Sequence, residues 1–141
     1  MDTDVIKAKL VSLQRCMQRI RQKTPSSAQH LAADFDLQDI LILNLQRAVQ
    51  ISTDIATTIL ADTASVPSTM AETFLLLHRQ GVLSESVAHK LAKSVGLRNI
   101  AVHEYTSLDW NVVYAVAHTH IEDFAEFGRE ITQWIHQSRH T

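Results

Sequence analysis

The chain has 141 residues, a formal net charge of −2, and 45% apolar residues. These values favour one globular domain spanning residues 1–141 and exclude a disordered chain. Only three glycines and two prolines occur, so turn signals are few and we expect long helices with short connections. The single cysteine, Cys16, excludes an internal disulfide.

The beginning of the chain does not resemble a targeting segment. Asp2 and Asp4 are acidic, and the stretch after them is amphipathic, which argues against a signal peptide. No run of about 18 apolar residues occurs that would indicate a membrane span. We therefore expect a cytoplasmic protein that makes no contact with a membrane.

Charge is unevenly distributed along the chain. Residues 1–23 carry six basic and two acidic side chains, whereas acidic side chains outnumber basic ones in the remainder. A basic first helix can face phosphate or an acidic partner. A solvated helix face is an equally good interpretation of the same pattern.

The first two predicted helices are long. Apolar residues on one face predict a first helix that ends before Pro25; they are Ile6, Leu10, Leu13, Met17 and Ile20. A second helix is predicted from near Asp36 to about Ala61, followed by a loop over residues 62–68.

The middle of the chain predicts two further helices. One runs from Met70 to Gln80 and is ended by Gly81, and the next begins at Ser84 as N-cap. Gly96 falls inside or just after this second pattern, where it permits a bend or close packing.

The last predicted helix is about eight turns long. Residues 106–109 supply its N-cap, with Asp109 near the positive end of the helix dipole. No strand-like alternation occurs in the sequence. We therefore predict an all-α, up-and-down bundle of about five helices, three long and two shorter.

Polar side chains suited to phosphate chemistry gather just before this last helix. Arg98 offers a planar fork for phosphate oxygens, and His103 can exchange a proton near neutrality. Five residues of helix separate them by about 140° around the axis. A bend at Gly96, the helix end, or a two-fold dimer could bring the two groups together, and we favour the dimer.

The segment that contains Arg98, Asn99, His103 and Tyr105 matches the R-x4-H-x-Y motif. By this motif the chain resembles the HepT branch of the HEPN superfamily. Residues 45–50 with Asp54, residues 74–82 and residues 96–99 also resemble that family. The resemblance covers roughly residues 5–135. The short motif alone is weak evidence, whereas the motif in this helical order is specific.

The resemblance implies a dimeric, all-helical ribonuclease with its arginine and histidine in a cleft between subunits. It implies RNA cleavage without a metal or cofactor. It also implies a partner, an MntA-type minimal nucleotidyltransferase antitoxin, which silences the toxin by transferring AMP to the motif tyrosine, here Tyr105.

The chemistry of the residues gives a mechanism. RNA carries its own nucleophile, the 2′-hydroxyl, so we expect His103 to act as general base or acid and Arg98 to stabilise phosphate charge. Asn99 is expected to orient the histidine or the substrate. Arg47 and Asp54 lie on a polar stripe of the second helix that either lines the cleft or forms an exposed face.

Two other interpretations remain open: a non-catalytic HEPN module and a purely structural helical partner. The same constellation suits a non-catalytic HEPN module that binds a nucleotide or presents it to a nucleotidyltransferase. His118 and Glu122 lie one turn apart, but two ligands do not make a metal site, and we predict no metal.

Overall fold

The computed structural model describes residues 2–138, and every regular element in that part of the chain is helical. The all-α prediction is confirmed. A 3₁₀ turn (Tyr105–Ser107) follows the fifth helix, and a π-helical turn (Val116–His120) joins the last two helices without a break. The helices are α1 (Thr3–Lys23), α2 (Ala28–Ala33), α3 (Phe35–Leu60), α4 (Met70–Arg79), α5 (Glu85–His103), α6 (Trp110–Ala115) and α7 (Ile121–Ser138).

The two predicted long N-terminal helices are present at nearly the predicted positions. The side chain of Asp2 caps α1 by accepting hydrogen bonds from the backbone N–H groups of Asp4 and Val5. The apolar face predicted for α1 is largely buried, with Leu10 at its edge. This face packs along α3, which runs for 26 residues.

The short helix α2 was not predicted. Ser27 caps it by accepting from the N–H of His30. Asp34 both ends α2 and caps α3, by accepting from the N–H of Leu37. Of its six residues only Leu31 is buried, so α2 has no apolar periodicity to reveal it. It packs against α6.

The predicted turn between α4 and α5 is confirmed. Gly81 has a φ of 78°, a left-handed conformation that favours glycine, and the side chain of Ser84 accepts from the N–H of Val87. The role predicted for Gly96 is wrong. α5 continues through it, and a Cβ at this exposed position would meet no other atom within 4 Å.

The buried apolar side chains form one core to which every α-helix contributes. Pairing of α4 with α5 and of α7 with α1 and α5 closes the bundle. The rings of Phe74 and Phe127 meet edge to face at its centre, 5.9 Å apart. Within residues 2–138 no helix combines the length and apolar character needed to cross a membrane.

Candidate active site

The C-terminal end of α5 carries the motif residues. α5 ends at His103, where the backbone N–H of Glu104 still bonds the carbonyl of Ile100 at 2.8 Å. The chain then turns through the 3₁₀ segment, which places Tyr105 next to the helix end. Arg98, Asn99, His103 and Tyr105 thus lie within the last two turns of α5 and the turn that follows.

Arg98 is half-buried between α5 and α3. Its Nη2 donates to Oε1 of Gln50 at 3.4 Å, and its Nη1 donates to Oδ1 of Asn99 at 3.4 Å. Both acceptors are neutral amides, and no carboxylate of residues 2–138 forms an ion pair with Arg98. Its Nε is buried without a hydrogen-bond partner. The positive charge is therefore held in place without being neutralised.

Gln50 is itself fixed by a second interaction. Its Nε2 donates to Oδ1 of Asp54 at 3.0 Å, and Nζ of Lys9 lies 3.7 Å from the other oxygen of that carboxylate. A chain of polar contacts therefore runs from α1 through α3 to Arg98. Asp54, a predicted cleft residue, supports Arg98 through Gln50 rather than directly.

His103 is exposed, and within the described part of the chain no hydrogen bond or ion pair holds its ring. Because α5 is continuous from Arg98 to His103, the two side chains leave the axis about 140° apart. Along this continuous helix the two side chains therefore diverge. The imidazole is accessible to solvent and to any second molecule.

Tyr105 contacts a carboxylate that sequence reasoning missed. Its hydroxyl donates to Oδ1 of Asp39 at 3.1 Å, and its ring meets that of Trp110 edge to face, 6.0 Å away. Partial burial raises the pKa of the Tyr105 hydroxyl above 10.0, and the hydrogen bond and negative charge of Asp39 raise it further. The side chain is nevertheless 40% exposed.

The residues of the polar stripe predicted on α3 make different contacts. Asn44 is buried and donates to the carbonyl of Ile40. Arg47 lines a groove between α1 and α3, whereas Gln50 connects to Arg98 on the side facing α5. Asp54 contacts Gln50 rather than Arg98 itself, and a role of Arg47 and Asp54 in lining the cleft stays a prediction.

The histidines of the π-helical turn are directed elsewhere. The ring of His118 stacks on Tyr114 at 5.2 Å, His120 lies 3.4 Å from Asp123, and Glu122 pairs with Arg21 at 2.7 Å. Across residues 2–138, no three His, Cys, Asp or Glu side chains form a cluster suited to a metal ion.

Solved structures of known proteins share this fold. The tri-AMPylated HEPN toxin of Shewanella oneidensis, solved in complex with MNT antitoxin, matches with a TM-score of 0.86 and 36% identity, over 94% of this chain and 99% of that one. YutE, a cytosolic Bacillus subtilis protein of unknown function, matches with a TM-score of 0.83 at 14% identity, over 97% and 92% of the two chains, and shows the fold alone. The fold is the HEPN fold.

Sequence comparison gives the family. Residues 13–131 match the family described as Ribonuclease HepT-like, and the chain belongs to it. The mRNA nuclease HepT of Shewanella oneidensis is 38% identical over 125 residues, which cover 88% of this chain and 93% of the relative. The tRNA nuclease HepT of Aphanizomenon flos-aquae is 28% identical over 132 residues, or 93% and 90% of the two chains.

Proposed function

We propose that this chain is the ribonuclease toxin of a toxin–antitoxin pair and acts in the cytoplasm. The observation that best supports this proposal is the arrangement of side chains at the end of α5. There Arg98 has no carboxylate partner, and both His103 and Tyr105 are exposed. The similarity to nucleases named HepT supports the activity. The toxin solved in complex with MNT antitoxin supports the pairing.

The proposed reaction is cleavage of RNA by its own 2′-hydroxyl. His103 removes the hydroxyl proton or protonates the leaving oxygen, a contribution of about 10²–10⁴-fold. The 2′-oxygen attacks the phosphorus and the 5′-oxygen leaves, giving a 2′,3′-cyclic phosphate and a 5′-hydroxyl. Arg98 stabilises the charge that develops on the phosphate oxygens, and Asn99, which bonds Arg98, helps to orient it.

The active unit is proposed to be a homodimer. Arg98 and His103 diverge within one chain, so a guanidinium from one copy and an imidazole from its partner are the pair that can meet at one phosphate. Exposed apolar side chains flank the motif and are suited to such an interface. Ile100 and Val102 lie between Arg98 and His103 in the sequence, and they are 39% and 46% exposed.

Tyr105 is the proposed site of control. An MntA-type nucleotidyltransferase antitoxin would transfer AMP from ATP to the Tyr105 hydroxyl, which attacks the α-phosphate, loses its proton and displaces pyrophosphate. The relative that is tri-AMPylated and bound to MNT antitoxin supports a modification of this kind. An esterified oxygen has no proton to donate, so the bond to Asp39 is lost. The phosphate charge then lies beside the Asp39 carboxylate and repels both it and incoming RNA.

RNA incubated with the purified protein in EDTA tests the activity. We expect cleavage to persist, to leave cyclic phosphate ends, and to fall by at least about 100-fold in His103→Ala. Unchanged cleavage in His103→Ala, or loss of wild-type cleavage in EDTA, contradicts the mechanism. Absence of any cleavage favours the non-catalytic nucleotide-binding alternative.

A further inference from the structure

A second positively charged surface lies between α1 and α3, away from the motif. It is a groove of about 520 Å³, which we call the arginine groove. Arg15 and Arg19, one turn apart on α1, line one wall, and Arg47 lines the other. Its remaining lining is Ser12, Cys16, Ile40, Leu43, Asn44 and Ile51.

The three arginines are exposed and lack acidic partners. Two other basic residues of α1 are paired: Lys9 lies 3.7 Å from Asp54, and Arg21 lies 2.7 Å from Glu122. By contrast, no carboxylate in the described range 2–138 lies within ion-pair distance of the three guanidinium groups of the groove. Three unneutralised charges in one concave surface favour an anionic ligand.

The charge of Arg47 acts on Cys16, a buried residue of the groove lining. Burial raises the pKa of the Cys16 thiol, and the positive charge of Arg47 opposes that effect by favouring the thiolate. Arg47 therefore lies close enough to act electrostatically on the buried thiol that lines the groove.

The arginine groove is close to the candidate active site along α3. Arg47 and Gln50 are three residues apart, which makes them surface neighbours with Cβ atoms about 5–6 Å apart. Gln50 bonds Arg98. The groove and Arg98 therefore both lie beside α3. A single RNA strand that crosses α3 would reach both of them.

We propose that the arginine groove is an RNA-binding site that holds backbone phosphates of the substrate outside the cleavage site. The proposal rests on the proposed ribonuclease function. Guanidinium groups on both walls suit a linear polyanion, since each can bond phosphate oxygens with two donors. Contacts to phosphate carry no sequence information, so the groove would increase affinity for long RNA without selecting its sequence.

RNA binding by matched triple variants tests the proposal. One carries Arg15→Gln, Arg19→Gln and Arg47→Gln, and the control carries Lys7→Gln, Lys93→Gln and Arg129→Gln, which are exposed and lie outside the groove. Both lose the same charge. Binding to a single-stranded RNA of about 20 nucleotides is measured in a His103→Ala background over a range of salt, so it is independent of cleavage.

We expect the groove variant to bind the RNA about 10- to 100-fold more weakly than the control, with a salt slope smaller by about 2. Without the His103→Ala change, cleavage of a dinucleotide should remain normal, because it is too short to reach the groove. Equal weakening in both variants, or no weakening, overturns the proposal. So does normal RNA binding combined with loss of antitoxin binding, which would make the groove a protein-binding surface.

The two proposals fail separately. A chain that binds long RNA through the groove but cleaves neither substrate contradicts the ribonuclease function and retains the groove. A chain that cleaves both substrates equally well in the two variants retains the ribonuclease and contradicts the groove. Thermal unfolding of both triple variants checks that each remains folded.

Discussion

The hydroxyl of Tyr105 donates a hydrogen bond to Oδ1 of Asp39, 3.1 Å away, and so connects the turn after α5 to the N-terminal part of α3. The two residues are 66 positions apart in sequence. This contact fixes the position of the proposed modification site relative to the helix that also supports Arg98 through Gln50.

Asp39→Asn should lower the pKa of the Tyr105 hydroxyl. Asparagine can still accept the hydrogen bond but carries no charge, so the pKa moves back toward 10.0. The chain has two tyrosines, and ultraviolet titration in a Tyr114→Phe background isolates Tyr105. An unchanged or higher pKa in Asp39→Asn would show that the carboxylate does not act on the phenol.

The same shift predicts how stability changes in alkaline solution. A pKa raised in the folded state means that the stabilisation is fully present below pH 10.0 and is lost as the pH rises through the raised value. The free energy of unfolding should therefore decrease more steeply above pH 10 in the wild type than in Asp39→Asn. The free energy of unfolding is measured by urea denaturation at each pH. An equal decrease above pH 10 in the wild type and in Asp39→Asn would contradict an effect of Asp39 on Tyr105.

Tyr105→Phe should keep its ribonuclease activity and should no longer be inhibited by the antitoxin. The phenylalanine keeps the ring contact with Trp110 but offers no oxygen for AMP. With the antitoxin and ATP present, we expect RNA cleavage to continue and mass spectrometry to find no added AMP. Tyr114→Phe is the matched control and should be modified and silenced like the wild type. AMP on Tyr105→Phe would place the modification elsewhere.

Gln50→Glu should impair cleavage by supplying Arg98 with an internal carboxylate. The new ion pair competes with the RNA phosphate, and we expect kcat/KM to fall by about 10- to 100-fold. Gln18→Glu, which adds the same charge to an exposed position of α1, should have little effect. Equal loss in both variants would mean that overall charge, and not the Arg98 contact, is responsible.

Gly96→Ala should stabilise the protein by about 0.5–1 kcal/mol, because the position is helical and exposed and has room for a Cβ. Gly81→Ala should instead destabilise it by about 1–2 kcal/mol, since φ is 78° there. Thermal or denaturant unfolding measures both. Destabilisation by Gly96→Ala would show that the glycine has a structural role after all.

Local signals made most of the fold predictable. Apolar spacing gave the long helices, and Gly81 with Ser84 gave the break between α4 and α5, since caps and left-handed glycines act within a few residues. α2 was missed because it buries a single apolar side chain, Leu31. The π-helical turn left no pattern that we could detect in the sequence.

The candidate site was predictable only where the motif residues adjoin one another. The sequence placed Arg98 to Tyr105 in one segment, but the partners of Arg98 and Tyr105 come from α3. Contacts between residues so distant in sequence leave no local pattern. The stripe containing Arg47 and Gln50 looked continuous. Its members make separate contacts, because Arg47 lines a groove beside α1 whereas Gln50 bonds Arg98 of α5.

Complementation between inactive variants tests the central claim, that Arg98 of one copy acts with His103 of its partner. Arg98→Ala and His103→Ala are each expected to be inactive. Mixing them with subunit exchange should form heterodimers that have one intact pair. We expect RNA cleavage to return to about a quarter of the wild-type rate. Heterodimers that are detected by mass spectrometry but remain inactive would contradict a site shared in this way.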